Sequence, residues 1–98
     1  MWLSGEAYEN YMGRWSRRVA KEFIDWLTPP ASWHWLELGC GTGALTQAIS
    51  LYVNPASVVA CDPSTELISF ARSTLTGPEF TFLVAGADDL PRREDGFD

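Results

Sequence analysis

The chain has 98 residues, which suits one small domain rather than two. Hydrophobic residues make up 46% and charged residues 20%, a balance that excludes a disordered segment and allows one modest core. The formal net charge is −6, and all of it falls on residues 31–98, where nine acidic groups face three basic ones; such a body does not attract a phosphate backbone, so no nucleic acid partner is expected.

In chain order, Trp15, Val19, Phe23, Trp26 and Leu27 fall on one face of an amphipathic helix. Thr28-Pro29-Pro30 ends it, because proline lacks the amide donor and restricts the residue before it. Trp33 to Leu38 is a short apolar run that reads as a buried strand, with His34 as a core or edge residue rather than a base. After a glycine-rich stretch, Leu45, Ala48, Ile49 and Tyr52 share a helical face that Asn54-Pro55 closes. Ser57 to Cys61 is a β-branched strand with Asp62 at its carboxyl end. Ser64 is the expected N-cap of the next helix, which turns Leu67, Ile68, Ala71 and Leu75 inward. Gly77-Pro78 breaks that helix, Phe80 to Val84 is a third strand, and a polar turn follows from Ala87 to Pro91. Strands alternating with helices imply right-handed crossovers and a parallel sheet: an α/β, Rossmann-like fold. Residues 1–30 form a helical arm, and 31–98 the α/β part.

No run of about 18 apolar residues exists to span a membrane. The opening residues lack the basic and apolar regions of a secretory signal. Two cysteines, Cys40 and Cys61, are too few for a disulfide scaffold and come without metal-ligand companions, so reduced thiols in the cytoplasm and no metal are expected.

The informative segment is Glu37-Leu38-Gly39-Cys40-Gly41-Thr42-Gly43, where a strand turns into a helix. Glycines there let the backbone approach a ligand, and the helix start offers free amide donors. The spacing also satisfies the loose dinucleotide pattern G-x-G-x-x-G/A, and Asp62 lies 21 residues past Gly41, suited to a ribose contact. Spacing alone therefore leaves a nicotinamide dinucleotide and S-adenosylmethionine both open. Glu37 favours the second, because a carboxylate repels a pyrophosphate and attracts an ammonium group.

Glu37 to Gly43 resembles motif I, E/D-x-G-x-G-x-G, of the class I S-adenosylmethionine-dependent methyltransferases. Val58 to Ser64, including Asp62 and Pro63, resembles the second motif of that family, and Ala85-Gly86-Ala87-Asp88-Asp89-Leu90-Pro91 the third. Asp95 to Asp98 resembles the lead-in to a fourth strand, and Tyr11 to Arg17 the helix entry of the type 11 small-molecule group.

The resemblance implies cofactor contacts from Gly39, Cys40, Gly41 and Gly43, ribose hydrogen bonds to Asp62 beside Pro63, and an Ala87 amide on adenine. Asp88 stands in for the aspartate that Gly86 replaces. Arg17 is the candidate for the cofactor's carboxylate, and Tyr11 helps close the site. It also implies a seven-stranded sheet ordered 3-2-1-4-5-7-6, of which this chain carries strands 1 to 3. The chain is thus expected to be the N-terminal half of an enzyme acting on a small molecule, with no catalytic residue of its own. The first strand, left as an edge, is expected to drive self-association through itself or the adjacent helix surface. A nicotinamide-dependent oxidoreductase fragment and a non-catalytic binding or association module are the rival readings.

Overall fold

A computed structural model describes residues 13–98; Tyr11 lies outside the described residues. The elements are α1 (Arg14–Leu27), β1 (His34–Leu38), α2 (Ala44–Tyr52), β2 (Ser57–Asp62), α3 (Thr65–Thr74) and β3 (Phe80–Val84). A short 3-10 turn, Ala87–Asp89, follows. The strands form one parallel sheet in the order β1-β2-β3, with Trp35 opposite Val58 and Val58 opposite Phe80.

Local chemistry sets the boundaries. Thr28 takes a left-handed conformation and its N–H donates to Ile24 O, which ends α1 before the two prolines. Ser64 Oγ accepts from Leu67 N at 3.2 Å, so the expected cap of α3 is made. The first strand starts one residue later than its apolar run, because Trp33 O is taken up by Ala56 N outside the ladder.

Strand alternation places Trp35, Glu37, Val58, Ala60, Phe80 and Phe82 on one face of the sheet. That face carries the core: Ala20 and Ile24 of α1, Ala48 and Ile49 of α2 and Val58 pack with Trp35, while Ile68 and Ala71 of α3 pack with Ala60 and Phe82. All three helices therefore cover the same side. Leu38 and Leu83, on the other face, remain exposed.

The contact face of α1 is not its large apolar stripe. The helix packs through Ala20 and Ile24, whereas Trp15 is 59% exposed and Trp26 77%. Along this contact with α2, Lys21 Nζ sits 5.3 Å over the Tyr52 ring. Trp15, Val19 and Phe23 of the stripe line a hollow with Glu37 and Leu38 of β1.

His34, the first residue of that edge, is tied on three sides. Its Nδ1 lies 2.7 Å from Ser57 Oγ, its Nε2 lies 3.0 Å from an Arg93 guanidinium nitrogen, and its backbone O accepts from Asp98 N at 2.8 Å. Among the described residues, no helix is long and apolar enough to cross a membrane.

Candidate binding site at the glycine loop

The loop between β1 and α2 sits at the carboxyl end of the sheet, where open α/β sheets bind ligands. Cys40 N donates to Cys61 O at 2.9 Å, prolonging the pairing, and Gly43 N then donates to Cys40 O at 3.0 Å to turn the chain into α2. Gly39 and Gly41 have φ of +69° and +58°, and a Cβ added to either would meet nothing within 4 Å. Their backbone is bare toward open space. Gly43 differs: a Cβ there would stand 2.7 Å from Leu75 Cδ1, so this glycine lets the loop pack on the end of α3.

Asp62 closes the loop from β2. Its Oδ2 accepts from Gly41 N at 3.1 Å and its Oδ1 from Ser64 N at 2.9 Å, and it is nearly buried. Each carboxylate oxygen keeps further acceptor capacity beyond these bonds. Because Ser64 caps α3, Asp62 serves the turn and the glycine loop instead. Pro63 is exposed beside it.

Glu37 is the third group. It points from β1 toward the helices, where Thr46 Oγ1 donates to its Oε1 at 2.5 Å. Burial pushes its carboxyl from the ordinary 4.5 up to about 7, against the opposing effect of the Thr46 bond. Glu37 lines a hollow of about 520 Å³ together with Trp15, Phe23, Leu38, Gly39 and Leu45, and among the described residues it is the one charged side chain in that lining.

The remaining candidates are more dispersed. Arg17 lines a separate hollow of about 250 Å³ with Thr42, Gly43 and Gln47, so it and Glu37 do not face the same space. Ala85 N donates to Asp62 O at 3.2 Å, which brings the end of β3 beside Asp62. Beyond it, Ala87 and Asp88 are exposed in the 3-10 turn, and it is Asp89 whose Oδ1 accepts from Gly86 N at 2.8 Å. Cys40 has its N–H bonded to Cys61 O of β2, its C=O bonded to Gly43 N and its side chain in the α3 cluster, so its backbone N–H is already spent on shaping the loop. Burial first, and the Glu37 and Asp62 charges next, push its thiol up to about 12, which makes it a poor nucleophile. Among the described residues, no group of three or more His, Cys, Asp or Glu side chains is placed to hold a metal.

The profile of a family described as "Methyltransferase domain" matches residues 36–98. The chain belongs to that family. An uncharacterized methyltransferase of Mycobacterium tuberculosis is 38% identical to it over 77 residues, which is 79% of this chain and 30% of the relative. The plantazolicin methyltransferase BpumL, solved with a monoazolic desmethylPZN analogue and SAH, superposes over 91% of this chain and 35% of its own, with a TM-score of 0.67 and 24% identity. The YcgJ protein of Bacillus subtilis superposes over 87% of this chain and 36% of its own, with a TM-score of 0.63 and 22% identity. At these identities the two solved structures share the fold. This methyltransferase-domain chain thus spans about 30% of the length of the curated relatives it matches. The nicotinamide reading of the glycine spacing is not favoured, and the Rossmann-like expectation holds.

Two residues of the site were not among the candidates from motif spacing. Thr46 was signalled only by being polar on the inward face of α2, and Asp89 by its place three residues after Gly86.

Proposed function

We propose that the chain is the S-adenosylmethionine-holding part of a methyltransferase that acts on a small molecule. The observation that carries this reading is the convergence of Glu37, the bare backbone of Gly39 and Gly41, and Asp62 at one end of the sheet.

These donors and acceptors fit the cofactor's parts. Glu37, the one carboxylate that the described residues bring to a largely apolar hollow, suits an ammonium group and would repel a pyrophosphate. Asp62, braced by two backbone N–H bonds, would accept from the two ribose hydroxyls through its remaining acceptor capacity. Gly39 and Gly41 would allow close approach, with the Cys40 backbone between them and Gly43 and Pro63 shaping the rim. Ala87 would offer its N–H to adenine and Asp88 its carboxylate to the exocyclic amine. Arg17, by the first turn of α2, is our choice for the cofactor's carboxylate, and Tyr11 for closing the site. When bound, the cofactor supplies a methyl group on a sulfonium centre, and transfer needs mainly in-line positioning of the acceptor. We assign no catalytic residue to this chain.

On this reading residues 1–30 are an N-terminal helical arm and residues 31–98 the first half of the cofactor-binding domain. A small-molecule acceptor is supported by BpumL, whose structure holds a compound of that size. Two free buried cysteines fit a reducing compartment, and we place the chain in the cytoplasm. The exposed stripe of α1 beside the β1 edge supports self-association of this 98-residue chain with a second copy.

Calorimetric titration with S-adenosylhomocysteine, with NAD as control, tests the central claim. Selective binding of the first is expected; binding of NAD alone, or of neither by a folded chain, would refute it.

A further inference from the structure

Thr46 has no exposed surface, lies on the inward face of α2, and donates its hydroxyl hydrogen to Glu37 Oε1. It does not itself line the hollow that Glu37 reaches. Glu37 extends from β1, so this bond links two separate elements across the core and limits the rotamers open to the carboxylate. With Oε1 engaged, Oε2 is the atom left for the hollow, whose other lining side chains among the described residues are uncharged.

We infer that Thr46 is a positioning residue, which holds Glu37 by one oxygen and presents the other to an ammonium group of the ligand. The inference rests on the cofactor reading above and adds to it a specificity device. Thr46 sets the charge as well as the direction of Glu37, since its hydrogen bond favours the ionised carboxylate against the effect of burial.

The test is calorimetric titration of the chain with S-adenosylhomocysteine and with 5′-methylthioadenosine, which lacks the amino-acid portion, between pH 6 and 9. Wild type, Thr46→Val and Thr46→Ser are compared. Thr46→Val should weaken S-adenosylhomocysteine about tenfold near pH 7, the effect of one hydrogen bond of ordinary net strength. It should leave 5′-methylthioadenosine unchanged and move the midpoint of the affinity's pH dependence upward. Thr46→Ser should restore both. Equal loss of both ligands with an unmoved midpoint would indicate a merely structural role and overturn the inference, as would wild-type affinity in Thr46→Val. If the wild type binds neither nucleoside, the cofactor reading fails separately. The hold on Glu37 is then read from its carboxyl 13C titration, where identical midpoints in wild type and Thr46→Val refute it and a higher one in Thr46→Val sustains it.

Discussion

Glu37→Gln should stabilise the fold at pH 8 while weakening the ligand it serves. The wild-type carboxyl titrates at about 7 in the folded chain against 4.5 ordinarily, because burial disfavours its ionised form. Between those values the folded state holds the proton more tightly than the unfolded state, so stability falls as pH rises through that window. Below pH 4.5 both states are protonated and the loss is absent; above pH 7 it is complete. At about 1.4 kcal/mol per pKa unit, the loss is about 3 kcal/mol, an upper figure that relaxation of the hollow will reduce. Glutamine keeps an acceptor for Thr46 and never ionises. Urea unfolding of both chains from pH 4 to 8 isolates this group, since every other carboxylate is common to the two. The curves should meet near pH 4 and separate steadily toward pH 8, with the variant more stable. A difference that stays constant across the range would refute the reasoning.

Asp62→Ala removes two charge-assisted bonds, one to the glycine loop and one to the turn at Ser64, each typically worth about 1.5–3 kcal/mol, partly replaced here by water at the strand end. A fall of about 2 kcal/mol in urea stability and an adenosine affinity lowered by about tenfold or more, measured by calorimetry, are expected. Gly41→Ala and Gly43→Ala both place a side chain at positive φ, at about 1–2 kcal/mol each, but only Gly43→Ala also meets Leu75. Denaturant midpoints should rank Gly43→Ala as the less stable, whereas ligand titration should show Gly41→Ala as the poorer binder for its stability. Trp26→Lys, on the exposed stripe of α1, should shift sedimentation of concentrated protein toward monomer; a wild type that is already monomeric at the highest concentration would remove the self-association surface.

Much of the fold was legible because punctuation and pattern agreed. The segment Ser57–Asp62 is β-branched and bounded by Asn54-Pro55 and Pro63, and Ser64 stands at a cap position, so strand and helix follow from local chemistry. The site's backbone was readable for the same reason, since alternating glycines at a strand end have few uses. What the pattern did not carry was which surface of α1 packs. Periodicity pointed to tryptophans, but the contact was made by the adjacent face, through Ala20 and Ile24. Nor did spacing reveal the Glu37–Thr46 pair, nine residues apart, because it exists only once β1 and α2 lie against each other. Arg17 lines a hollow beside the glycine loop, apart from the one that Glu37 lines, a distinction only three-dimensional placement makes.

The contacts of His34 settle its chemistry. Arginine has donors only, so the ring nitrogen facing Arg93 must be the bare one, and the other ring nitrogen carries the hydrogen. That hydrogen is directed at Ser57 Oγ, which leaves the imidazole no lone pair with which to draw off the serine's own proton. A serine, a histidine and the carboxylate of Asp98 thus meet at the amino end of the sheet, but Asp98 Oδ2 accepts from the His34 backbone N–H and does not bond the ring, so they form no hydrolase triad. The ring is oriented by Ser57 and Arg93 instead, and the group is a latch between β2, the β1 edge and the segment from Arg93 to Asp98.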